Sequence, residues 1–162
     1  MGSGKTTIGL PLAKQLGYQF IDQDELIEKH YSTSVGEVFA KFGEQKFRET
    51  EHNVLTEAVH SDNLVISTGG GAPCFFNNMD FMNQNGITVY LKAEPETLMN
   101  RLKNQTDSRP LLKGKNESEL LQFITGKLAD RESFYFQAKL VLPTDILQVE
   151  EIINKLVLSI QA

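Results

Sequence analysis

Gly2-Ser3-Gly4-Lys5-Thr6-Thr7 opens the sequence and runs directly into a helical apolar pattern over residues 6–17. Glycines allow backbone N–H groups to crowd around phosphate oxygens, and a helix N-terminus adds a partial positive charge that favours an anion. The Gly-Lys-Thr triplet leading into a helix is the second half of a P-loop. In such a loop Lys5 reaches the β- and γ-phosphates and the Thr6 hydroxyl ligates Mg²⁺. The alternative is an ordinary glycine-rich turn that caps a helix. The leading glycine of the full motif, and the strand that would feed it, are not in the sequence. Two explanations are open: reading from a methionine inside the loop, or a damaged or truncated chain. The first is expected, because a Met often stands just before Gly-Ser-Gly-Lys in such loops. In doubly wound sheets the strand feeding the loop lies near the centre, so its neighbours are expected to show unpaired edges.

Outward from the loop, β-rich runs at 18–22, 64–68, 87–92 and 140–142 alternate with helical patterns at 6–17, 26–30, 35–58, 95–103, 118–136 and 149–160. Gly43 is expected to divide the long pattern in two. The alternation predicts an α/β fold, a parallel sheet sandwiched by helices, of the P-loop type. The stretch 104–116, NQTDSRPLLKGKN, is polar and carries Pro110 and Gly114, so it reads as a mobile surface loop of lid length. No repeat or linker divides the 162 residues, and one domain over 1–162 is expected.

Composition narrows the partners. Hydrophobic residues make up 40% and charged residues 23%, ordinary values for a globular protein with a core. A formal net charge of -5 argues against nucleic acid and anionic membranes, so an anionic ligand needs locally placed Arg and Lys. The single cysteine, Cys74, cannot form an internal disulfide. No leader pattern precedes the first motif, and no apolar run approaches the roughly 20 residues of a membrane helix. A cytoplasmic enzyme is expected.

Asp22 and Asp24 follow the first visible strand, at the carboxyl end where open α/β sheets bind ligands. Asp22 suits a water-mediated hold on Mg²⁺, and Asp24 suits orienting a substrate hydroxyl and accepting its proton. The plainer role for Asp24 is capping a helix that starts at Glu25. Arg48 lies beside Phe47, and Arg is the preferred grip on a planar carboxylate. Its plainer role is pairing with Glu44 or Glu51 on a solvated face. Gly69-Gly70-Gly71 after a buried strand permits close approach to a ligand, or is only a flexible turn. Arg109, before Pro110, is placed to close over a γ-phosphate, or is an exposed loop charge. Arg131 supplies a second anion grip or an ion pair.

In order, Gly-Ser-Gly-Lys-Thr, Asp22-x-Asp24, Phe47-Arg48-x-x-Glu51, Gly69-Gly70-Gly71, Arg109-Pro-Leu-Leu and Arg131-x-x-x-Tyr135 resemble the shikimate kinase family across nearly the whole chain. The resemblance implies an ATP-dependent kinase of the nucleoside-monophosphate-kinase-like class, with substrate-binding helices at about 25–60 and a lid at about 104–116. It implies transfer of the γ-phosphoryl group of ATP to the 3-hydroxyl of shikimate, a step towards chorismate and the aromatic amino acids. It further implies that Gly2, Ser3, Gly4, Lys5, Thr6 and Thr7 hold the ATP phosphates and that Thr6 and Asp22 place Mg²⁺. Asp24, Arg48, Gly70, Gly71 and Arg131 would contact shikimate, with Phe39 and Phe47 lining the pocket. Lys5, Asp24 and Arg109 would carry the catalysis. Glu51 resembles a buried residue that orients the substrate arginine, and Arg101 is similar to an arginine near the adenine. The family implies a monomer. Rival readings are another small-metabolite P-loop kinase, for gluconate or a nucleoside monophosphate, and a nucleotide-binding remnant without catalysis.

Overall fold

The computed structural model of the chain describes residues 2–104, 112 and 114–161. Four strands, β1 (Gln19–Asp22), β2 (Leu64–Ser67), β3 (Val89–Lys92) and β4 (Leu140–Pro143), alternate with helices. These are α1 (Lys5–Leu16), α2 (Gln23–Tyr31), α3 (Val35–Ala58), α4 (Asn78–Asn85), α5 (Pro95–Leu102), α6 (Glu117–Tyr135) and α7 (Val149–Gln161), with a 3-10 turn at Ala72–Cys74. The strands are short runs dominated by Val, Ile, Leu, Phe and Tyr, residues that fit a pleated and covered surface. Both strand pairs are parallel, as the alternation predicts. Phe20 stands opposite Val65 and Ile21 opposite Ile66, while Tyr90 faces Val141 and Leu91 faces Leu142.

The parallel strands form two half-sheets, β1-β2 and β3-β4. Each of β2 and β3 uses one edge, and both strands line a common slot of about 530 Å³. Ile8, Leu12, Phe20, Val65, Val89 and Leu91 give the slot an apolar wall. Among the described residues the facing edges of β2 and β3 have no ladder partner. One end of the slot opens onto Ser3, Lys5, Gly69, Gly70 and Arg131.

Helix ends follow local chemistry. α1 begins after Gly4, which holds φ 89°, and stops at Gly17, whose φ of 71° lets its N–H return to the last carbonyls. Ser34 and Glu37 form a capping box at the start of α3, and Asn116 and Glu119 form one for α6. Gly43 (φ 80°, ψ 170°) interrupts α3, as expected, so Glu44 starts a second helical stretch. The core is built in three clusters. Ile8 and Leu12 of α1 pack on Ile152, Ile153 and Leu156 of α7. Leu98 and Leu102 of α5 pack on Leu120 and Ile124 of α6, and Ile27 meets Val38 and Phe47 between α2 and α3. Leu112, expected on a surface loop, is fully buried in the α5–α6 cluster. Among the described residues no helix is long and apolar enough to cross a membrane.

Candidate active site

Gly2 and Gly4 both adopt left-handed φ, 70° and 89°, a conformation that strains any other residue and that turns successive N–H groups toward one side. The loop lies at the carboxyl ends of the strands. Arg101 donates from Nη1 to the Gly2 carbonyl (3.4 Å) and to Thr144 Oγ1 (3.0 Å), and from Nη2 to the Thr144 carbonyl (2.7 Å). Thr144 Oγ1 in turn donates to the Lys92 carbonyl at the end of β3 (3.0 Å). Arg101, expected near the adenine, is thus a strut between α5, the end of β4 and the loop. Lys5, the first residue of α1, and Ser3, two residues before it, line the cleft.

β1 delivers Asp22 and Asp24 to the same edge. Helix α2 starts at Gln23 rather than Glu25, and its cap is Asp22, whose Oδ1 accepts from the Asp24 N–H at 3.0 Å. The capping role considered for Asp24 therefore belongs to Asp22. Asp24 lies close to the triple glycine: a Cβ added at Gly69 would stand 3.5 Å from Asp24 Oδ1 and 2.5 Å from Glu51 Oε1.

Arg48 is 8% exposed, so the solvated-face alternative fails, although both ion-pair partners considered for it are present. Its Nη1 donates to Glu51 Oε2 at 2.5 Å, and Nε and Nη2 reach Glu44 Oε1 at 3.4 and 3.2 Å. Phe47 and Phe75 flank the guanidinium, at 5.1 and 4.6 Å from their ring centres. Phe47 is buried in the α2–α3 core, while Phe39 beside it is 37% exposed. Glu51 is 1% exposed, and burial raises its carboxyl above the ordinary value against the opposing pull of Arg48. Asp24 raises it further and Arg131 lowers it, so the four charged groups share one electrostatic neighbourhood.

Gly70 and Gly71 complete the floor. Tyr135 Oη donates to the Gly70 carbonyl at 2.5 Å, which fixes the plane of the Gly70–Gly71 peptide. Arg131, one turn earlier on α6, interacts with Tyr135 and lines the cleft. Burial pushes the Tyr135 phenol above its ordinary value, so it remains a donor. The structure therefore brings Lys5, Asp24, Arg48, Gly70, Gly71 and Arg131 to one side of the sheet. Arg109 lies outside the described residues.

Two contributors escape a sequence reading. Gln23, 1% exposed, donates to the Glu51 carbonyl (2.8 Å) and accepts from the Gly69 N–H (2.9 Å), tying α2, α3 and the glycine turn together. Phe75, over Arg48, sits in a segment with no periodicity. Position between two acidic residues was the one signal at Gln23, and an amide there reads equally well as surface.

A phosphate loop on α1, set at the carboxyl ends of parallel strands beside a buried Arg–Glu pair, defines a P-loop phosphotransferase of nucleoside-monophosphate-kinase-like fold. The sequence profile described as shikimate kinase matches residues 1–161, and the chain belongs to that family. A shikimate kinase of Bacteroides thetaiotaomicron is 46% identical over 160 residues, covering 96% of this chain and 91% of the relative. The crystal structure of shikimate kinase from Bacteroides thetaiotaomicron superposes with a TM-score of 0.95 at 44% identity, covering 100% of this chain and 94% of the other. Shikimate kinase from Acinetobacter baumannii, solved in complex with shikimate, gives 0.86 at 34% identity over 99% and 88% of the two chains.

Proposed function

We propose that the chain transfers the γ-phosphoryl group of ATP to the 3-hydroxyl of shikimate, giving 3-phosphoshikimate and ADP. The observation that carries this reading is Arg48, a buried guanidinium beside Gly71 that is paired with Glu51, a carboxyl on which Asp24 and Arg131 also act. A small acid with one carboxylate and a ring of hydroxyls suits that set. Arg48 and Arg131 grip the carboxylate, Gly70 and Gly71 let the ring approach the backbone, and Asp24 accepts the proton of the attacking hydroxyl. Gly2, Ser3, Gly4, Lys5, Thr6 and Thr7 cradle the phosphates, and Lys5 neutralises charge on the transferring group. Arg109 is assigned to the lid above it.

Thr6 and Asp22 are the residues that would hold Mg²⁺. Among the described residues no cluster of three or more His, Cys, Asp or Glu could cage a metal. One hydroxyl and one carboxylate instead fit an ion that takes its other ligands from phosphates and water. When bound, Mg²⁺ neutralises phosphate charge. We place the enzyme in the cytoplasm as a monomer.

The open slot beside the phosphate loop favours one other reading, a nucleotide-binding remnant without catalysis. ADP release with Mg²⁺ and ATP, compared across shikimate, gluconate and nucleoside monophosphates, separates the two. Release that depends on shikimate is expected. Release with another acceptor alone refutes the substrate, and ATP binding without any release supports the remnant. Arg48→Lys keeps the charge but loses the fork, and should weaken shikimate binding by about tenfold or more.

A further inference from the structure

The polar edges of Arg48 are already occupied by carboxylates of its own helix. Glu51 takes Nη1, the short and buried contact. Glu44 sets a single oxygen, Oε1, between Nε and Nη2. The Nε–Nη2 side is one of the two-donor edges by which a guanidinium holds an incoming carboxylate with paired hydrogen bonds. Phe47 and Phe75 lie against the guanidinium, and paired hydrogen bonds to a ligand carboxylate form in its plane.

The two glutamates are held very differently. The Glu51 side chain is 2% exposed, and its backbone carbonyl is tied to Gln23. The Glu44 side chain is 56% exposed and its contacts to Arg48 are long, 3.2 and 3.4 Å. It follows directly on Gly43, where the helix breaks, and so sits in the first turn of the second stretch of α3. A carboxylate in a helix's first turn is favoured there without any partner, so Glu44 can leave Arg48 without being stranded.

We propose that Glu44 is an internal stand-in for the substrate carboxylate, closing the Arg48 fork in the empty enzyme and surrendering it when an anionic ligand arrives. The inference rests on the reading of Arg48 as the carboxylate grip. Glu44 acts in this scheme as a competitor for the fork, while the short buried bond to Glu51 holds the guanidinium in place. It sets a threshold that a weakly hydrogen-bonding ligand does not pass. A ligand carboxylate repays the loss of Glu44 with two better-aligned bonds, whereas an ester or amide cannot.

Removing the competitor should tighten binding modestly, because exposed pairs of this kind contribute little. For Glu44→Gln the shikimate Kd, measured by calorimetry, and the KM are expected to fall about two- to fivefold while kcat is retained. Shikimate should gain at least as much as its methyl ester, because the displacement cost is common to both and only the acid is also relieved of the nearby Glu44 charge. Glu44→Asp, whose shorter side chain still carries the charge, should fall between the parent and Glu44→Gln. Unchanged or weakened shikimate binding in Glu44→Gln, with Arg48→Lys impaired, overturns the inference and leaves the Arg48 grip standing. If shikimate binding responds to neither position, the grip itself is wrong and the inference falls with it.

Discussion

Adding one methyl group at Gly71 tests the site at its tightest point. Gly71 has φ -90° and ψ -22°, a conformation open to alanine, so Gly71→Ala brings no backbone penalty. The new Cβ would stand 2.5 Å from Arg48 Nη1, 2.8 Å from Cζ and 2.9 Å from Nη2. Comfortable contact begins near about 3.5 Å, so the guanidinium has to retreat by about 1 Å. Retreat is obstructed by the 2.5 Å bond to Glu51 and by the ring of Phe75. Forced overpacking of this kind costs about 1–3 kcal/mol. In a domain of this size that lowers Tm by about 2–12 °C, at about 2–4 °C per kcal/mol. A displacement near 1 Å in a gripping group can lower kcat/KM by about 100-fold. Thermal unfolding and shikimate-dependent ADP release, run on the same preparations, read the two effects separately. A variant that melts within about 1 °C of the parent and keeps its shikimate kcat/KM would refute both the packing and the role assigned to Arg48.

Two further outcomes follow from the same neighbourhood. Glu51 carries a carboxyl raised above its ordinary value, so the folded protein holds that proton more tightly than the unfolded chain does. Its contribution to stability is complete below the ordinary value of 4.5 and is lost as pH rises through the folded value. The Tm of Glu51→Gln minus that of the parent should therefore become more positive between about pH 4.5 and pH 7; a flat difference would show that Glu51 titrates normally. Tyr135→Phe removes the donor to the Gly70 carbonyl. It should cost about 1 kcal/mol, about 2–4 °C in Tm, and lower kcat/KM for shikimate by freeing the Gly70–Gly71 peptide. An unchanged melt and rate would show that this bond holds nothing in place.

Much of this arrangement was legible from residue types and order, because each legible part rests on a local rule. Glycines before a Lys-Thr helix start, carboxylates at a strand end and a Gly at a helix break announce themselves within a few residues. The strand runs at 64–68 and 140–142 agree with β2 and β4 to within a residue at each end. α4 was not anticipated: Asn78–Asn85 is polar and poor in strong helix formers. Tertiary contacts hold it instead, through buried Asn78, which donates to the Ala72 carbonyl (2.8 Å) and meets His52 Nδ1 at 2.6 Å. The same limit hid Gln23 and Phe75, whose roles depend on partners far along the chain. It also hid which of two adjacent carboxylates caps α2, since spacing alone allows either. Burial was the deciding quantity for Arg48, and burial of a single charged side chain is set by the packing of three elements around it.

The slot between the half-sheets bears on how this molecule behaves in company. A strand whose outer amides and carbonyls lack a ladder partner is a template for a strand from elsewhere. Among the described residues two such edges, on β2 and β3, line one apolar gap. A segment from a neighbouring chain that entered would gain two ladders of hydrogen bonds and cover Val65, Val89 and Leu91 at once. Ile8 and Leu12 of α1 and Leu156 of α7 line the same gap, so their packing on one another stands between such a segment and the two strand edges.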